Sequence, residues 1–188
     1  MGDSLSAEYG LPRGSGWVMH LQRRIEARQL GWKVVNASIS GETSAGGRAR
    51  IDELLRRHLP ALVVIELGGN DALRGLPLGT TENHLRDMIR ATQRSGARVV
   101  LFGMQMPPNY GRAYSEQFSA MFAKLAQSER TALLPFFLQP IADRTDAFQA
   151  DRIHPTEAVQ AELMEHAWTV LGPLLADGSV PAGRVRKG

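Results

Sequence analysis

The sequence predicts an α/β fold, a mostly parallel sheet covered by helices on both faces, on three observations. Short β-branched runs alternate with stretches of helical period along the chain. The runs are apolar throughout, as in strands buried on both faces, where a half-exposed strand would alternate with polar residues. Polar, glycine-rich segments fall directly after several of these runs, and in such sheets the site lies beyond the carboxyl ends of the strands.

Taken in order, Trp17, Leu21 and Ile25 recur at every fourth position and predict a first helix. Lys33 to Ile39 follows as a strand. Ile51, Leu54, Leu55 and Leu59 share one helical face, and Ala61 to Leu67 is the next strand. Leu85, Met88 and Ile89 mark a helix before the strand Ala97 to Gly103. Phe118, Met121, Phe122 and Leu125 mark another before Thr131 to Leu134. A last helix is expected to start at Thr156 after Pro155 and to run towards Leu171, with Gly172-Pro173 stopping it.

The 188 residues fit one domain, spanning 1–175, with a loose basic tail at 176–188. That tail carries Arg184, Arg186 and Lys187 against Asp177, so most of the net charge of +3 sits there and nucleic acid is not an expected partner. The fractions of 43% hydrophobic and 22% charged residues exclude disordered and collagen-like classes, and no apolar run is long enough to insert stably in a membrane. With no cysteine, thiol nucleophiles, disulfides and Cys-based zinc sites are excluded.

Several familiar loops are absent. No lysine is followed by Ser or Thr in a phosphate-binding loop, and Gly14-Ser15-Gly16 lacks the third glycine of a dinucleotide site. No serine sits in G-x-S-x-G, and His20, His58, His84 and His166 lack metal-ligand spacing. Four segments remain: Gly2-Asp3-Ser4-Leu5-Ser6, Ser40-Gly41-Glu42-Thr43, Gly68-Gly69-Asn70-Asp71 and Asp151-Arg152-Ile153-His154-Pro155. Each alone reads as turn chemistry. Together they hold the parts of an acyl-transfer site. A serine needs a base and the base needs an orienting group, roles that Ser4, His154 and Asp151 fill. A developing oxyanion needs donors, available from the Ser4 amide, the Gly41 N–H and the Asn70 side chain.

Ser4, Gly41, Asn70 and His154 stand in four ordered blocks that resemble those of the SGNH (GDSL) hydrolases. The strings Val35 to Thr43, Ile65 to Gly75 and Pro107 to Gly111 resemble the arylesterase, thioesterase I and lysophospholipase branch. The resemblance runs from Gly2 to about Leu175. It implies a three-layer α/β/α sandwich of flavodoxin-like type and a serine hydrolase without metal or organic cofactor. Its substrates would be small-molecule acyl esters, with thioesters or lysophospholipids beside them. It makes Ser4 the nucleophile, His154 the base, Asp151 its partner, and Ser4, Gly41 and Asn70 the oxyanion hole. A substrate loop would lie at 69–77, with Leu73, Met106 and Tyr110 at the acyl pocket. Leu73 and Met106 read equally well as packing residues.

Two positions depart from the pattern. Arg152 stands where relatives usually carry glycine and is expected to point into solvent. Only Met1 precedes Gly2, where the fold places an apolar strand, so a first strand is expected to be missing and Ser4 to fray. Two other readings stay open: a carbohydrate acetylesterase of the same superfamily, and a non-catalytic module binding an anion at the 41–47 loop. Exported relatives favour a periplasmic or secreted protein, although no signal peptide is visible. Oligomerisation stays open.

Overall fold

Three parallel strands form the centre of the computed structural model, which describes residues 1–106 and 108–177. They are β1 (Leu62–Ile65), β2 (Arg98–Phe102) and β3 (Ala132–Leu134), in that order, with Val64 opposite Val100 and Val100 opposite Ala132. Ile65, Val100, Leu101 and Phe102 are fully buried, which is why these runs are apolar without alternation. Two helices, α1 (Trp17–Ala27) and α6 (Gln160–Ala176), pack on each other as one layer. The other layer is α2 (Ser44–His58), α4 (Leu78–Arg94) and α5 (Arg112–Ser128), and a short α3 (Gly69–Leu73) follows β1. The α/β fold expected from the sequence is the one observed. Between α1 and the sheet, the rings of Trp17, Phe102 and Phe137 meet with centroids 5.3 to 5.6 Å apart.

Two elements differ from expectation. Lys33 to Ile39 is extended but pairs in no ladder, so it is not a strand. Side chains hold it instead: Val34 N–H donates to Gln22 Oε1, and the Arg50 guanidinium donates to the Ala37 carbonyl. Met1 and Gly2 lie between its end and β1. The Ile39 N–H donates to the Gly2 carbonyl, the Glu66 N–H to the Met1 carbonyl, and Gly2 bridges Glu66 in parallel. The rest of the segment flanks a groove lined by Trp17, Leu21, Val34, Leu62 and Val64, which touches none of Ser4, Asn70 and His154.

The second difference is Pro173, which lies inside α6 and does not stop it. So near the end of a helix, proline forfeits little more than its own N–H bond. Leu171 and Leu175 stay buried on either side of it and keep the last turn on the core. The tail expected at 176–188 begins one residue too early, since Ala176 ends α6 and the Asp177 N–H donates to the Pro173 carbonyl; its residues 178–188, with the basic side chains, lie outside the described residues. No described helix is long and apolar enough to cross a membrane.

Candidate active site

The chain turns sharply as it leaves the sheet at Gly2, and Ser4 sits in that turn. The Asp3 carbonyl accepts the N–H groups of Ser6 and Ala7, and Asp3 Oδ1 accepts the Leu5 N–H at 3.1 Å. Glu66, the residue after β1, supports the turn from below. Its Oε2 accepts the Asp3 N–H at 3.3 Å and the Ser6 hydroxyl at 2.8 Å, and Ser6 Oγ in turn accepts the Trp17 indole N–H. The Met1 amino group donates to the Val64 carbonyl. The fraying expected of Ser4 is therefore countered by bonds that span sixty positions or more.

Burial governs the electrostatics of this turn. Desolvation pushes the Asp3 carboxyl up to about 6, against the hydrogen bonds it accepts. Glu66 is buried more completely, faces Asp3 and is raised well above the carboxylate range. Its Oε1 has no hydrogen-bond partner, which suits a protonated acid better than an anion. Desolvation lowers the Met1 amino group to about 6 in the same surroundings.

The opposing loop is built locally. Asp151 Oδ1 accepts the backbone N–H groups of Ile153 and His154, an Asx turn two and three residues long. Asp151 Oδ2 lies 2.7 Å from His154 Nδ1. Its residual desolvation is outweighed by these donors, which hold the carboxyl down at about 2. An ionised carboxylate only accepts, so Nδ1 carries the proton and Nε2 offers its lone pair. His154 Nε2 stands 2.8 Å from Ser4 Oγ. Hydroxyl, imidazole and carboxylate thus form one chain of contacts, the arrangement that removes a proton from the oxygen as it attacks.

Asn70, in α3, joins the turn from a third direction. Its Nδ2 donates to Asp3 Oδ2 at 3.1 Å and to the Glu42 carbonyl at 3.0 Å, drawing the Gly41-Glu42 turn against the Ser4 turn. Gly41 has φ +78°, a left-handed conformation that a side chain would strain, and a Cβ there would lie 3.8 Å from Arg74. Ser4, Gly41, Asn70, Asp151 and His154, named from four separate segments, are thus brought to one place.

The expected acyl-pocket residues are less uniform. Met106 is buried and Leu73 packs partly buried against the core, whereas Tyr110 is exposed. The first half of the 69–77 segment is helical and anchored, because the buried Asp71 accepts both the N–H and the hydroxyl of Ser44 and the hydroxyl of Thr81. His84 Nδ1 lies 3.0 Å from the same Ser44 hydroxyl. This second Ser–Asp–His grouping is closed to solvent at Ser44 and bolts α2, α3 and α4 together. Arg152 is exposed with φ +58°, a position where glycine carries no strain.

Sequence reading missed Glu66 and Tyr9. The Tyr9 ring lies 4.4 Å from the His154 ring, centroid to centroid, tilted by 38°. An acidic residue ending an otherwise apolar run was the signal available for Glu66. Nothing local marks Tyr9.

The family model described as GDSL-like Lipase/Acylhydrolase matches residues 1–161. Esterase TesA of Pseudomonas aeruginosa is 49% identical over 175 residues, 93% of this chain and 87% of that protein. Thioesterase 1/protease 1/lysophospholipase L1 of Escherichia coli K12 is 39% identical over 175 residues, 93% of this chain and 83% of that protein. Among solved structures, a crystal structure of TesA superposes with a TM-score of 0.90 over 92% of this chain and 96% of that one, at 49% identity. The psychrotrophic esterase EstA from Pseudoalteromonas, in a form inhibited by monoethylphosphonate, gives 0.89 over 93% and 96%, at 38% identity.

Proposed function

The chain belongs to the GDSL-like lipase and acylhydrolase family and hydrolyses carboxylic esters as a serine hydrolase, and we propose that Ser4 carries the reaction through an acyl-enzyme. The observation that carries this reading is the continuous line from Ser4 Oγ through His154 to Asp151, at 2.8 and 2.7 Å.

Ser4 Oγ attacks the ester carbonyl carbon while its proton passes to His154 Nε2. Asp151 holds Nδ1–H in line and balances the imidazolium that forms. The carbonyl oxygen, now an oxyanion, is met by the N–H groups of Ser4 and Gly41 and by the Asn70 amide. Both protons of that amide already have acceptors, so Asn70 serves the oxyanion by releasing Asp3 or Glu42. The tetrahedral intermediate collapses, the C–O bond to the alcohol breaks, and His154 returns the proton to the leaving oxygen. Water then repeats the two steps on the acyl-enzyme and frees Ser4. Acyl thioesters and lysophospholipids are proposed as further substrates, with support from the name of the Escherichia coli relative. Leu73 and Met106 are the residues proposed to receive the acyl chain.

Labelling by a fluorophosphonate, read as intact mass, tests the assignment. One adduct on the wild type and none on Ser4→Ala is the expected result. An unlabelled but folded wild type, or equal labelling of the variant, overturns it.

A further inference from the structure

In-plane bonds fix the two nitrogens of His154 but not its faces. Asp151 lies at Nδ1 and Ser4 at Nε2, and Asp3 is a further charged neighbour. One face is met by Tyr9, its ring centroid 4.4 Å away with its own surface half-exposed.

This contact is built by more than proximity. Gln149 Nε2 donates to the Tyr9 carbonyl at 3.0 Å and to the Pro155 carbonyl at 3.1 Å, and the Gln149 N–H donates to the His154 carbonyl at 2.7 Å. One glutamine thereby stitches the segment carrying Tyr9 to the loop carrying the imidazole. The next residue, Gly10, has φ +69°, and a Cβ there would sit 2.2 Å from Gln149 Oε1, so the stitch requires glycine.

We propose that Tyr9 is a positioning residue for the hydrolytic reaction, its ring face holding His154 in plane and stabilising the imidazolium that exists only while a proton is in transit. The inference rests on the reading of His154 as the base. Tyr9 then acts on both half-reactions, because His154 takes and returns a proton in each. An aromatic face attracts a cation through its quadrupole, and neutral imidazole gains far less. Such differential stabilisation appears in kcat and not in KM.

Replacing Tyr9 by phenylalanine keeps the electron-rich face, whereas pentafluorophenylalanine keeps the shape and reverses the quadrupole. On phenyl acetate, Tyr9→Phe is expected within about twofold of wild type. The fluorinated variant is expected to lose about three- to tenfold in kcat with KM and thermal midpoint little changed, and its rate of fluorophosphonate inactivation to fall in parallel. Tyr9→Leu, a second way to remove the face, is expected to lose at least as much. Equal kcat in the phenylalanine and fluorinated variants overturns the proposal, as does a loss confined to KM, which would mark a leaving-group contact. Failure of the underlying reading shows separately, as a wild type that the fluorophosphonate does not label.

Discussion

Two aspartates flank the Ser4–His154 contact in opposite surroundings. Asp3 is buried beneath the serine turn and is pushed up to about 6 by desolvation. Asp151 lies at the surface, where two backbone N–H groups and the imidazole N–H keep it ionised down to about 2. The supports differ in the same sense. The serine turn hangs from Glu66, sixty residues and more away, while Asp151 is tied to His154 by bonds within three residues of itself. The exposed carboxylate is thus the one suited to hold charge beside the base. The buried one is suited to hold geometry, through the Leu5 N–H and the Asn70 amide.

The largest effect is expected from Asp151→Asn. Asparagine has one acceptor oxygen, and the N–H groups of Ile153 and His154 already claim it. The amide NH2 then faces Nδ1 and forces the proton to Nε2, where it opposes the Ser4 hydroxyl. A fall in kcat of about 10⁴ on phenyl acetate is expected, with the fold retained by circular dichroism. A loss under tenfold would show that Asp151 is not the partner that sets the tautomer.

How far this contrast was legible in the sequence follows from distance along the chain. Asp151 and His154 are three residues apart in a turn, so their pairing could be read directly. Ser4 lies 150 positions from His154, so no spacing paired them; it joined the site through the acyl-transfer roles that the four segments fill together, and the resemblance to a known family then added to that reading. The Glu66 support and the Tyr9 ring are long-range contacts made by ordinary residue types; the acid near the end of an apolar run was the one local sign of Glu66, and no local pattern announces Tyr9. The same limit explains Lys33 to Ile39. Its composition is that of a strand, but a strand is completed by a partner's backbone, and composition cannot report the partner. Pro173 shows the reverse error, a local breaker overridden by the burial of Leu171 and Leu175.

The buried carboxyl groups beneath Ser4 are tested by Glu66→Gln. Glu66 is raised well above its unfolded value, so its contribution to stability is full below the unfolded pKa and is lost as pH rises through the folded one. Asp3 has the same sign, lost between its unfolded value near 4 and about 6. The Met1 amino group has the opposite sign, which makes the difference between variant and wild type the cleaner measure. Glutamine accepts the same two hydrogen bonds but carries no titrating proton. Relative to wild type, the variant is expected to gain stability as pH rises above about 5, at up to about 1.4 kcal/mol per pH unit while the acid titrates. Denaturant unfolding at several pH values reads this directly, and a difference independent of pH would remove Glu66 from the account.

The smallest effect belongs to the exposed side, at Arg152. Its left-handed backbone, φ +58°, costs about 1 kcal/mol for a residue with a Cβ. Glycine removes that strain but adds freedom to the unfolded chain worth about 0.4–1 kcal/mol, so the two nearly cancel. Arg152→Gly should therefore change stability by less than about 0.5 kcal/mol in either direction. Asp151 is held by His154 and backbone donors, not by Arg152, so activity on a small neutral ester should stay within a few-fold. Arg152 is exposed on the loop that carries the base, and removing its guanidinium is expected to raise KM for an anionic ester relative to a neutral one of equal size. Equal KM changes for the two esters would show that the guanidinium does not reach the substrate, and collapse of the neutral-ester rate would show that the surface loop depends on Arg152 for its geometry.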